Sequence, residues 1–468
     1  MGHFETVVDE AVNGGRPYEA YVPSRLQDIR IDLPPEVAAR IDRASRSVAE
    51  IDARLGLSPA LPALETLVKS EAIASSYIEG HRVSAADLAR ESNDFRTAPE
   101  DVRAVMGNIE ATHRAVRSLS DPGYPVTLQD VERIQSDLME THPRGGVRSP
   151  YVGVRTTQAV LIPPGMARGE SASLELATHI PPPARLVGGA LADLLDFINA
   201  PPTGAPPLVR AALAHAQFET IHPFPDGNGR TGRALIQAMF RRDGLLKNVV
   251  LPLSPYLAMN TSAYVDGLNS VRFEGSEPDQ QAMERWLVVF ADCTYSAAVN
   301  ASDVATDIER LGERWAEQLR GSGVRTGAAA FSAVNHLLGA VSTTTRDLAS
   351  ALDVGEVTAR TALTRLEKIG AVSVSKLRDG SLVYVADEVA EVIARSQRDI
   401  AVTSAPGRAK GVGAWGGASL PPMPSSEAPA RANPKQACGA WISRSRQQCN
   451  LREGHVGWPN SGHRHVRR

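Results

Sequence analysis

The thirteen residues from Ile221 to Arg233, IHPFPDGNGRTGR, hold a histidine, an aspartate, an asparagine, two arginines and three glycines. Each has a use if the substrate is a nucleoside triphosphate. His222 could take a proton from an attacking hydroxyl. Asp226 could hold a Mg²⁺ ion that bridges two phosphates. Gly227 and Gly229 let the backbone approach phosphate oxygens, and amides at a helix start direct partial positive charge at an anion. Arg230 and Arg233 stand three apart, so on one helix they face roughly the same side and can fork onto terminal phosphates.

Those roles need a helix, a glycine-rich turn and a second helix. Upstream, PLVRAALAHAQFETIHPF places apolar residues at Leu208, Val209, Ala212, Leu213, Ala216 and Ile221, a helical spacing after a proline pair suited to a helix start. Downstream, Leu235, Ile236 and Met239 continue that spacing until Gly244. The embedded GNGRTG formally spells G-x-G-x-x-G. A dinucleotide-binding turn, however, must leave a β-strand, and the preceding segment reads as helix.

The stretch resembles the signature of Fic-domain proteins, H-x-F-x-[DE]-G-N-G-R-x-x-R, met at His222, Phe224, Asp226, Gly227, Asn228, Gly229, Arg230 and Arg233. The resemblance implies a mainly α fold, a Fic-type helical core with a small β-hairpin flap. It implies transfer of AMP from ATP to a Ser, Thr or Tyr hydroxyl of a protein target, with release of pyrophosphate. Within it His222 is the general base, Asp226 the Mg²⁺ ligand, Gly227, Asn228 and Gly229 the anion hole, Arg230 and Arg233 phosphate ligands, and Phe224 the anchor of the loop. Kinase-type relatives carry a lysine in place of a loop glycine, and this chain keeps both glycines.

A second match lies upstream in KSEAIASSYIEGHRVS. Ser75 and Glu79 are i and i+4 on one helix face, with Gly80 following as a C-terminal cap. The stretch resembles the inhibitory motif [ST]-x-x-x-E-[GN] of the same family, on a helix spanning about 65–80. That resemblance implies that Glu79 pairs with Arg233 and takes the place of the γ-phosphate. GVRTTQAVLIPPG, from Gly153 to Gly165, resembles the G-x-R-x-x-Q stretch leading into the family's flap, with a strand expected over Gln158 to Ile162 and a return in THIPPPARL. The aromatic and glycines usual after the glutamine are absent. LSPYLAMNTSAYVDGL resembles the helix that closes the nucleotide pocket, with Asn260 and Tyr264 as candidates to touch the base or ribose.

The chain has 468 residues, 43% of them hydrophobic, and a net charge of −3, which gives no global attraction to nucleic acid or membrane. Length alone suggests about three domains of roughly 150 residues. The start, MGHFETVVDEAVNGG, is polar, and its match to a myristoylation pattern is short. No segment approaches the ~18 uninterrupted apolar residues of a membrane span, and three cysteines make no disulfide framework, so a bacterial cytoplasmic location is expected.

The expected organisation is coil followed by helices with the inhibitory helix over 1–125, a catalytic core over 126–300, and a linking helix over 301–325. A winged helix-turn-helix is expected over 326–396. There Thr345 to Leu352 and Glu356 to Ile369 read as helices, with Val357, Ala362, Leu366 and Ile369 inward, and strands flank the Asp379-Gly380 turn. Exposed Thr358, Arg360, Thr361, Thr364 and Arg365 could then enter a DNA major groove, or the unit could serve dimerisation or docking. Residues 397–435 read as a flexible linker and 436–468 as a basic Cys/His tail, in which Cys438, Cys449, His455, His463 and His465 either bind Zn²⁺ or stand in an interaction tail. The leading expectation is an autoinhibited protein adenylyltransferase using ATP and Mg²⁺. The alternatives are removal of AMP by the same site, and a DNA-binding regulator whose core senses nucleotide.

Overall fold

The computed structural model describes residues 2–397 except 11–13, 30, 58–60, 93–97, 141–151, 162–173, 175–176, 203, 275–279 and 378–379. The described residues are mainly helical, with two small antiparallel sheets. A 42-residue helix, α11 (Gln280–Gly321), runs across position 300 without a break and turns one apolar side inward through Trp286, Phe290, Ala297, Ile308, Trp315 and Leu319. Helix α1 (Pro35–Leu57) lies along it. Polar contacts fix their register: Arg40 forks onto Asp292 at 2.8 and 2.9 Å, and Arg54 donates to Ser302, Thr306 and Glu309.

Helices α7 (Pro207–Ile221) and α8 (Asn228–Arg242) form the centre, joined by the loop 222–227. Every α7 residue from Leu208 to Ile221 is buried, so its neighbours cover it on all sides. Such a helix must satisfy its polar side chains internally. Arg210 does so by pairing with Asp243 at 2.7 Å, and Gln217 by donating to Ser24 O. Helices α2 (Leu61–Ile78), α4 (Glu100–Leu119), α5 (Leu128–Glu140), α6 (Ala184–Asn199) and α10 (Thr261–Ser270) pack around this pair, while α3 (Ala85–Glu91) lies on α4 and α9 (Ser254–Met259) on α2.

The N-terminus is not coil. Strands β1 (Gly2–Val7) and β2 (Tyr18–Pro23) form an antiparallel ribbon, and Tyr18, Ala20 and Tyr21 are buried. Tyr21 donates its backbone N–H to Ile180 O and its hydroxyl to Phe273 O, each at 2.9 Å. A two-stranded ribbon is marginal alone and is held by such distant contacts, which local polarity does not reveal.

Toward the C-terminus, helix α12 (Ala329–Ala340), strand β3 (Ser342–Thr344), helices α13 (Thr345–Ala351) and α14 (Glu356–Lys368), strands β4 (Ser373–Lys376) and β5 (Leu382–Val385), and helix α15 (Asp387–Ser396) make one unit with strand order β3-β5-β4. Its inward stripe on α14 is Ala359, Ala362, Leu363 and Leu366. Val357, expected inward, is 82% exposed, because it lies two residues before Ala359 and therefore on the far side of the helix. Thr358, Arg360, Thr361, Thr364 and Arg365 are exposed. The unit rests on α2: Thr66 Oγ1 donates to Leu338 O, Lys69 Nζ to Gly339 O, and Gln397 Nε2 to Ser70 O, at 2.8–2.9 Å.

Candidate active site

Helix α7 ends at His222, whose backbone is left-handed (φ 46°, ψ 62°) while its N–H still donates to Phe218 O at 2.9 Å. A non-glycine residue holds that conformation only where its surroundings insist. Here they centre on Arg155, which is 3% exposed. Its guanidinium donates to His222 O at 2.8 Å, Pro182 O at 2.6 Å, Thr157 O at 2.9 Å and Ile221 O at 3.3 Å, and its backbone N–H reaches Pro223 O at 2.8 Å. Burial lowers the Arg155 pKa to about 10, which leaves the side chain charged at neutral pH. In sequence this arginine is one position of the G-x-R-x-x-Q stretch. Its task is visible only once the carbonyls it gathers are brought together.

The loop closes on itself. Phe224 is fully buried with its ring 6.1 Å from that of Phe218. Asn228 accepts from Phe224 N–H through Oδ1 and donates to Phe224 O through Nδ2, both at 2.8 Å. Its side chain is thus committed to the loop, and what remains for an anion is its main-chain amide. Gly227 takes φ 81°, and Asp226 Oδ1 accepts its N–H at 2.7 Å. Gln135 braces the turn from α5 by donating to Asp226 O at 3.0 Å. The α8 ladder begins with Thr231 N–H to Gly227 O, so the amides of Asn228, Gly229 and Arg230 precede it, as at any helix start.

Arg230 and Arg233 are 4% and 2% exposed. Arg230 Nη2 stands 3.9 Å from Asp226 Oδ1. Arg233 is engaged from α2: Nε donates to Ser75 Oγ, and Nη2 to Ser75 O and to Glu79 Oε1, each at 2.8 Å. Burial alone would lower the Arg233 pKa, but the Glu79 carboxylate, with Tyr264 and Glu219, outweighs it and raises the value. Glu79 follows the last residue of α2, where Gly80 turns the chain at φ 100°. Its carboxylate also rests against the loop: a methyl group on Gly229 would come 2.1 Å from Glu79 Oε1 and 2.8 Å from Arg233 Nη1.

Tyr264 stands beside Arg233 and Glu219, buried in the core. Tyr264 is 4% exposed and hydrogen-bonded to His215 Nε2 at 2.7 Å, within the aromatic layer that includes Trp286. Asn260 is fully buried and donates to Tyr256 O at 2.9 Å. The expected strand at 158–162 appears as one antiparallel bridge, Leu161 with His179. Gln158 anchors its base by donating to Pro181 O at 2.8 Å. Cys438, Cys449, His455, His463 and His465 lie outside the described residues, as does most of the expected linker. Among the described residues there is no group of three or more His, Cys, Asp or Glu suited to a metal ion, and no helix is long and apolar enough to cross a membrane.

Residues 125–240, which contain the loop and both arginines, match the family model described as Fic/DOC family, and residues 38–117, which contain Ser75 and Glu79, match Fic/DOC family N-terminal. A protein adenylyltransferase of Caenorhabditis briggsae is 40% identical over 83 residues, 18% of this chain and 16% of that protein. A protein named probable protein adenylyltransferase from Aquifex aeolicus is 24% identical over 249 residues, 53% of this chain and 65% of that protein. The chain therefore spans less than two thirds of either relative. A solved Fic family protein from Desulfovibrio desulfuricans G20 aligns with a TM-score of 0.43 at 21% identity, covering 76% of this chain and 98% of that one.

Proposed function

We propose that this chain, which carries a Fic/DOC domain over residues 125–240, is an autoinhibited protein adenylyltransferase that moves AMP from ATP to a Ser, Thr or Tyr hydroxyl of a protein target. The observation that carries the reading is the Glu79–Arg233 pair resting on Gly229, in the first turn of the helix after the His222 loop.

In the reaction the target hydroxyl oxygen bonds to the α-phosphorus of ATP, the bond from that phosphorus to the bridging oxygen breaks, and pyrophosphate leaves. His222 takes the hydroxyl proton. The amides of Asn228, Gly229 and Arg230 face the anion as a helix N-terminus does. Arg230 and Arg233 hold the phosphates beyond the bond that breaks. Asp226 is a hard oxygen donor 29% exposed beside those amides, and with phosphate oxygens it suits Mg²⁺, which supplies charge neutralisation. The hairpin expected from Gln158, of which the Leu161–His179 bridge is the described part, lines up the target segment.

With Glu79 on Arg233, ATP binds with its γ-phosphate displaced and the α-phosphate out of line, so transfer is slow. Incubation with α-labelled ATP, followed by mass spectrometry of modified protein, tests the reading. Glu79→Gly protein should label itself and lysate proteins, and the same protein with His222→Ala should not. Absence of label from both, with ATP bound, would sink it.

For the C-terminal unit we infer a DNA partner, favoured by the exposed α14 face that carries Arg360 and Arg365. Fluorescence anisotropy with duplex DNA across a salt series checks it. A salt-insensitive signal, or a dimer lost on Val357→Asp, would assign the face to protein contact instead.

A further inference from the structure

Glu219 stands in the last turn of α7, three residues before His222, with its Oε2 3.9 Å from His222 Nδ1. The residue is 7% exposed, and its Oε1 is buried with no hydrogen-bond partner among the described residues. A buried carboxylate oxygen left unsatisfied costs stability, so packing alone does not account for it. The fold makes room for it: a methyl group on Gly232 of α8 would come 2.7 Å from Oε1. Burial, opposed by the positive charges of Arg233 and Arg272 and reinforced by Glu79, holds the Glu219 pKa up at about 7. The other titratable groups facing it are His215 on its own helix, Tyr264 on α10, and His222 itself.

We propose that Glu219 is the carboxylate partner of His222, a positioning residue that keeps the imidazole proton on Nδ1 and stabilises the imidazolium formed when Nε2 accepts the hydroxyl proton. The proposal rests on the reading of His222 as general base. A closure of about 1 Å turns the 3.9 Å approach into a charge-assisted hydrogen bond. The proton bound at Nε2 comes from the target hydroxyl, the Nδ1 proton stays within the pair, and both groups titrate together. Release of Glu79 from Arg233 removes the negative charge that opposes ionisation of Glu219, so the same movement that frees the arginine readies the base.

The test uses full-length protein labelled with ¹³C at histidine Cε1, with the His222 signal identified by its loss in His222→Asn. In Glu219→Gln the His222 titration midpoint should fall by about half a pH unit or more. In the Glu79→Gly background, Glu219→Gln should lower kcat for AMP transfer at least about tenfold, leave the KM for ATP within about twofold, and move the acid limb of the rate profile to lower pH. Glu219→Asp, which keeps the charge and shortens its reach, should lie between, and it decides the matter if the glutamine variant does not fold. An unchanged His222 midpoint in these variants, with thermal unfolding intact, would overturn the proposal. A shifted midpoint in a protein that transfers no AMP would leave the pair standing and remove the adenylyltransferase reading instead.

Discussion

Glu79 and Arg233 are 154 residues apart in the chain, and their side chains meet at 2.8 Å between the end of α2 and the second turn of α8. The arginine is almost wholly buried, so the contact satisfies a buried cation and, on the proposed reading, occupies the atoms that would meet a phosphate. Glu79→Gly should raise AMP transfer at least about tenfold, since a charged fork of roughly 1.5–3 kcal/mol is at stake. Arg233→Ala in that background should return transfer to near zero, measured as labelled AMP incorporated per minute.

Removing Arg155 should damage both stability and rate. Arg155→Ala strands the carbonyls of Ile221, His222, Thr157 and Pro182. A loss of about 2–4 kcal/mol in urea unfolding is expected, with transfer reduced by more than about tenfold because the His222 turn loses its support. Arg155→Lys should recover little, because an ammonium cannot reach that spread of acceptors.

Asn228 provides a cleaner measure of the loop alone. Asn228→Asp keeps the acceptor for Phe224 N–H and loses the donor to Phe224 O. It also sets a negative charge at the helix start, where anions are favoured. ATP affinity, read by calorimetry, should fall by about tenfold or more, while thermal stability falls by roughly 1–2 kcal/mol.

Acid should stabilise the protein through Glu71. Burial raises its pKa from 4.5 to about 7, although Ser254 donates to it through N–H and hydroxyl. Between those values the folded state keeps a proton that the unfolded chain has released. The stabilising term is therefore complete below about pH 4.5 and is lost as pH rises toward 7. Glu71→Gln should flatten this decline, seen as a smaller change of unfolding midpoint between pH 5 and about 7 in denaturant titrations.

The loop from His222 to Arg233 was legible in sequence because its chemistry is local. A helix end, a left-handed glycine and a helix start lie within twelve residues, so local chain direction brings His222, the amides and the arginines near one another. The spacing of Ser75, Glu79 and Gly80 placed the Ser75 and Glu79 side chains on one face at a helix end, while the pairing of Glu79 with Arg233 was an expectation of the resemblance to the family's inhibitory motif, and that pair does meet. The exposed face of α14 followed from period alone, apart from Val357.

What only the tertiary structure decided depends on groups that meet from distant elements. Arg155 reads as one basic residue in a loop until the carbonyls of 182 and 221–222 converge on it. Tyr264 and Asn260 have the chemistry to touch a nucleotide; the fold buries both, and the Tyr264 hydroxyl meets His215 Nε2 at 2.7 Å. The N-terminal ribbon exists because Tyr21 finds Ile180 and Phe273. Glu219 is an ordinary helix acid in sequence. It becomes a buried carboxylate beside His222 because Gly232, from the following helix, leaves the space of one methyl group. Burial and long-range contact set the energies of these side chains, and neither is written in local spacing.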